Sequence, residues 1–243
     1  MTEKRQSAVL GTRIVDGLDA AMRARALPDA FIQWQLEARR AMFEAIGAGQ
    51  HPHRYAAHLP VMITFDPESP FLVRSATKGA GLTPRDEVLD RYLAPLEETL
   101  ARCQGHPWHE TFPDRVAAVR MLLDHPEDIE RRRLAFLEIF QGRTYANLQR
   151  DPRVVLHYAG DGPGYTSFQI NGYAEIVGPD DLRWRYVALA RRIFEEAPFH
   201  LQQPGYAAAY LVWVHEVVDK APYVAAGTTG FRVAPHVQGE TLS

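Results

Sequence analysis

Residues 141–158 constrain the architecture of this chain more than any other stretch. Gln141-Gly142-Arg143-Thr144-Tyr145-Ala146-Asn147-Leu148-Gln149-Arg150 reads as one to two turns of helix with a glycine and a cation at its mouth. Asp151-Pro152 closes that helix, and Val154-Val155-Leu156-His157-Tyr158 follows at once as a strand. The first N–H groups of such a helix have no acceptor of their own. With Arg143 and the Thr144 hydroxyl beside them they suit a phosphate. The competing reading of Arg143 is a cation that meets a surface carboxylate or caps backbone groups.

Strand patterns flank this unit on both sides. Val61-Met62-Ile63-Thr64-Phe65 is a short apolar run, Asp66-Pro67-Glu68-Ser69-Pro70 forces a turn, and Phe71 to Thr77 completes a hairpin. Leu134 to Phe140 fits a strand or the continuation of a helix begun at Pro126. Asp161-Gly162-Pro163-Gly164 is a turn. Tyr165 to Val177 is a long strand, and Gly172 inside it marks a bulge. Ala209 to Val218, rich in branched and aromatic residues, and Phe231 to Pro235 are further strands.

Helical period appears elsewhere. Phe31, Ile32, Leu36, Met42, Phe43 and Ile46 recur at helical spacing between a start at Pro28-Asp29 and a stop at Gly47-Ala48-Gly49. Thr83-Pro84-Arg85-Asp86 predicts an N-cap for a helix carrying Val88, Leu89, Tyr92, Leu93, Leu96 and Leu100, with Pro95 kinking or splitting it. Phe112 to Leu123 and Leu182 to Phe194 are amphipathic candidates. Antiparallel strands with short helices between them predict an α+β fold built on a small barrel.

Composition excludes several classes. The 243 residues are 46% hydrophobic and 23% charged, enough for a sizeable core. A net charge of −3 gives no basic surplus for nucleic acid. A single cysteine, Cys103, leaves no intramolecular disulfide or multi-cysteine metal site, and it lacks a histidine partner for a nucleophile. No apolar run of roughly 18 residues appears and the N-terminus is polar, so a cytoplasmic protein with no membrane partner is expected. His51, His53 and His58 form one histidine group, and His106, His109 and Glu110 another. Neither has convincing metal-ligand spacing, and polar loop histidines are the favoured reading. His157 is a candidate barrel-facing acid/base group, set against a core or interface histidine. Asn147 suits bonding that holds the short helix against a barrel, and Trp184, Trp213, Tyr210 and Phe194 read as core or contact aromatics that could stack on a ring.

The order of pieces from 134 to 235 resembles the pyridoxamine 5′-phosphate oxidase-like family of split-barrel FMN-binding proteins. Gly142 to Leu148, Arg150-Asp151-Pro152-Arg153-Val154 with its strand, the turn, Phe168 to Val177 and the terminal Phe231 to Pro235 carry the resemblance. It implies an antiparallel split β-barrel of about six or seven strands. Residues 1–58 are then an N-terminal helical segment, 59–235 an FMN-binding domain with a helical block inserted at about 83–130, and 236–243 a tail. It further implies FMN in the groove of a homodimer, with the phosphate on Gln141, Arg143 and Thr144 and on the strand cations Arg74 and Lys78. Gln169 would lie near the flavin ring, with His157 as the catalytic group. The activity implied is an FMN-dependent oxidoreductase acting on a small organic molecule. A haem-binding or haem-degrading split barrel and a flavin-free binding or scaffold protein are the alternatives.

Overall fold

The structure, a computed structural model, describes residues 23–50, 55–160, 166–195, 203, 205–220 and 236–238. Its elements run α1 (Asp29–Gly47), β1 (Val61–Phe65), β2 (Val73–Thr77), β3 (Ala80–Gly81), α2 (Asp90–Cys103), α3 (Trp108–Asp124), β4 (Arg133–Glu138), α4 (Arg143–Arg150), β5 (Arg153–Gly160), β6 (Thr166–Val177), α5 (Leu182–Ile193), β7 (Ala208–Asp219) and β8 (His236–Gln238). The strands make one antiparallel sheet in the order β2-β1-β5-β6-β7-β4-β3, with β8 added to β7. β2 and β3 end that order on opposite edges, yet only Lys78 and Gly79 separate them in the chain. The three peptide steps from Thr77 to Ala80 span at most about 10 Å, so the sheet must curl until its edges nearly meet. The result is an α+β split barrel.

Alternation decides which side chains fill the barrel. On β5, Val154, Leu156, Tyr158 and Gly160 are buried while Arg153, Val155, His157 and Ala159 are half-buried on the other face. Phe31 of α1 packs edge-on against Tyr158 and Phe168, with ring centroids 5.2 Å from each, and so ties the helix to the inner face. Gly172 sits at a register shift where β6 meets β7. A Cβ at that position would lie 2.5 Å from the Trp213 carbonyl oxygen, and glycine alone allows the close approach.

Two expectations need correction, and one open alternative is decided. Thr83 does not cap a helix: its carbonyl accepts from the Glu130 N–H at 2.8 Å, Pro84 bridges Ile129, and α2 starts only at Asp90 after a 3-10 turn over Asp86–Val88. α2 then runs unbroken through Pro95. Leu134 to Glu138 belongs to a strand, and the helical turn at Pro126 stops at Asp128. The helical block between β3 and β4 is therefore pinched at its neck, and α2 and α3 lie in one core with the barrel. The turn expected at 161–164 and the strand expected at 231–235 fall outside the described residues; residues 236–238, assigned to the tail, pair with β7. Among the described residues no helix is long and apolar enough to cross a membrane.

Candidate functional site

α4 lies between β4 and β5, as its sequence predicts, and its geometry organises the site. Gly142 is its N-cap in an extended conformation, and the first intrahelical bond runs from the Ala146 N–H to the Gly142 carbonyl at 3.1 Å. The N–H groups of Arg143, Thr144 and Tyr145 thus have no acceptor within the helix. Arg143 is exposed and has no ion-pair or hydrogen-bond partner among the described residues; Thr144 is half-buried. The other end of α4 is fastened. Asn147, 1% exposed, donates to the Thr64 hydroxyl at 3.1 Å, Leu148 enters the core, and Arg150 reaches Glu68 at 2.9 Å.

Glu138, the last residue of β4, shapes the approach to α4. Its carboxylate accepts from the N–H groups of Phe140 at 2.9 Å and Gln141 at 2.7 Å, from Lys78 Nζ at 2.6 Å and from the Tyr210 hydroxyl. Burial alone would raise this carboxyl. Hydrogen bonds from Lys78 and Tyr210, the Lys78 charge and the Phe140 N–H outweigh that and hold it below its ordinary value. Burial, helped by the same carboxylate, pushes the Tyr210 phenol well above the usual range. Gln141 is held here with a positive φ of 48°. The bond from Lys78 to Glu138 joins the two sides of the barrel seam.

Sequence-predicted site residues fall into three places. Lys78, Gln141, Arg143 and Thr144 gather around Glu138 and the start of α4. Lys78 differs from the expected phosphate-facing cation in that Glu138 neutralises it. Arg74 is not brought to this group. Its guanidinium donates to the Ser69 hydroxyl at 2.7 Å and lies 3.6 Å from Asp66, which pins the β1–β2 turn beside Arg150. That is the opposite end of an eight-residue helix about 12 Å long.

His157 and Gln169 form the third set, as cross-strand partners on the outer face of the sheet. His157 does not face the barrel interior, because Leu156 and Tyr158 take the inward positions on either side of it. The Ser167 hydroxyl lies 3.4 Å from His157 Nε2. Gln169 donates its amide to Asn171 at 3.0 Å, and Asn171 donates in turn to Glu216. The outer face thus carries a polar ladder, with Val61 of β1 in line with His157.

The remaining candidates are structural. Trp213 donates to Glu175 at 2.8 Å and lies under the buried Arg133 guanidinium. Phe194 stacks on Phe43. His51 and His53 lie outside the described residues, and His58 bonds the Ala80 carbonyl at 2.9 Å. Among the described residues no three potential ligands cluster for a metal. Sequence reasoning missed Glu138, since nothing local distinguishes a strand-ending glutamate; only the pairing of distant strands brings Lys78 and Tyr210 onto it.

A family model described as pyridoxamine 5′-phosphate oxidase matches residues 99–219, which span α4, β5, β6 and β7. This chain belongs to the pyridoxamine 5′-phosphate oxidase-like family. Among solved structures it is similar to a pyridoxamine 5′-phosphate oxidase-related, FMN-binding protein from Nostoc punctiforme, at 10% identity and a TM-score of 0.41, covering 80% of this chain and 86% of that one. It is also similar to HupZ from Group A Streptococcus, at 10% identity and a TM-score of 0.38, covering 67% and 85%. General Stress Protein 26 from Bacillus anthracis matches at 10% identity and a TM-score of 0.35, covering 67% and 83%. No curated protein matches the sequence.

Proposed function

We propose that the chain is an FMN-dependent oxidoreductase for a small organic substrate, holding the flavin phosphate at the start of α4 in a homodimer. One observation carries the reading: Arg143 is a cation without a counter-charge among the described residues, set beside three N–H groups that have no acceptor in their helix. Those residues fit an anionic tail. In this assignment Arg143 meets the phosphate charge, and the Thr144 hydroxyl and the N–H groups donate to its oxygens. Lys78 and Glu138 act differently: they hold the loop at 139–142 in place for the helix that follows. When bound, the flavin supplies hydride or electron transfer, and the chain contributes position and electrostatics. Gln169 and His157 are offered as the groups that orient the ring edge and hold a proton near it.

Exposed apolar side chains support self-association around α4. Phe140 is 68% exposed just before the helix, and Phe71 and Leu72 are 75% and 62% exposed in the turn beside its far end. The decisive experiment titrates FMN against the wild-type protein and Arg143→Glu by flavin fluorescence. Charge reversal should weaken binding by roughly 1.5–3 kcal/mol, or about ten- to a hundredfold. Equal affinity in the two proteins removes the phosphate assignment, and a wild type that takes up no FMN leaves the flavin-free binding protein as the reading.

A further inference from the structure

A second cation without a counter-charge lies away from α4, on α1. Arg39 donates to Gln35 Oε1 at 3.1 Å, to the Ala57 carbonyl at 3.1 Å and to the Ala80 carbonyl at 2.7 Å. All three acceptors are neutral, and no carboxylate lies within ion-pair distance of Arg39 among the described residues. Burial pushes its guanidinium below the ordinary arginine value, while Tyr158 and Tyr186 pull the other way. Arg39 is half-buried, and a guanidinium partly withdrawn from water with only neutral acceptors is stabilised by an anion that reaches it.

The surroundings of Arg39 share one deficit. Gln35 is fully buried, and its Nε2 has no hydrogen-bond partner among the described residues. Tyr158, also fully buried and within electrostatic reach of Arg39, has a hydroxyl without a partner among the described residues. Both groups can donate a proton, and both lack an acceptor. Arg39 also lines a recess of about 150 Å³ between α1 and residues 55–58, open on one side, whose walls include Trp34, Met42 and Tyr55. A cavity of roughly that volume holds one aromatic ring.

We infer that this recess binds a small organic anion, an aromatic or branched monocarboxylate whose charge meets Arg39 and whose body lies against Trp34 and Met42. A carboxylate supplies the counter-charge that Arg39 lacks at the recess wall, and an indole and a thioether suit a ring; Gln35 and Tyr158 themselves do not line the recess. The site is separate from the start of α4 and does not depend on flavin binding.

Calorimetric titration of the full chain with benzoate, and with the neutral isostere benzamide, tests the assignment. Benzoate should saturate at one per chain and raise the melting temperature, and benzamide should bind roughly tenfold more weakly or less. Arg39→Gln should erase the preference for benzoate. Because Arg39 also ties α1 to Ala57 and Ala80, Ala38→Phe provides a second arm: it fills the recess, leaves the bonds of Arg39 intact and should abolish benzoate binding. The inference is overturned if benzoate fails to saturate, if benzamide binds equally well, or if Ala38→Phe binds benzoate as the wild type does.

Discussion

Glu138 shows how a single side chain can govern the approach to a site it does not form. Its side chain is 1% exposed, and its charge is balanced by Lys78, Tyr210 and two backbone N–H groups. Replacing it by glutamine leaves Lys78 facing a neutral partner in a buried place, so Glu138→Gln should lower stability by roughly 3 kcal/mol at neutral pH. The carboxyl is held below its ordinary value of 4.5, so it binds fewer protons in the folded than in the unfolded chain. Its contribution is therefore complete above about pH 4.5 and is lost as pH falls through the depressed value. Urea melts of wild type and variant at a series of pH values should converge towards acid; a gap that stays constant or widens would overturn this account. Arg143 was legible from sequence because its position depends on one local helix. The neutralisation of Lys78 and the diversion of Arg74 were not, since each depends on a carboxylate supplied by another element or turn. The outward direction of His157 could have been read from alternation: once Tyr158 is assigned to the core, its neighbour must point the other way.

At the scale of the element, α4 is too short to stand alone. An eight-residue helix has little intrinsic stability, and three ties near its C-terminal end, through Asn147, Leu148 and Arg150, hold it on the barrel. Asn147→Ala leaves the Thr64 hydroxyl buried without its donor and should cost about 1–3 kcal/mol. Hydrogen exchange of the α4 amides should also quicken in that variant. Unchanged exchange would mean that packing of Leu148 alone fixes the helix. The elements were mostly readable from sequence, since α1 and β5 each follow one clear period and β6 and β7 are long runs rich in branched and aromatic residues. The start of α2 was misread because Thr83-Pro84 carries the local signature of a cap, whereas the chain there is bridged to residues 129 and 130. Pairing that joins positions more than forty residues apart leaves no trace in a local window.

The whole molecule is a curled sheet whose outer face is only partly polar. Beside the ladder of His157, Gln169 and Asn171, Val61 is 37% and Val73 46% exposed on neighbouring strands, with Ile63, Phe65 and Val155 half-buried on the same face. If two copies meet through this strip, Val61→Glu combined with Val73→Glu should place uncompensated charges in the contact and yield a monomer by sedimentation velocity, with an unchanged far-ultraviolet spectrum. A variant that sediments as the wild type does would exclude the strip as the contact. A barrel could be expected from the run of strands, but which strands close it could not be read from local pattern, because that follows from which strands become neighbours. Lys78 and Gly79 work as a drawstring: a chain that steps from the first margin of the sheet to the last in so short a stride cannot let those margins drift apart. A single nick there would release the gather and leave the rim to its side-chain clasps, Lys78 on Glu138 and Arg39 across Ala57 and Ala80.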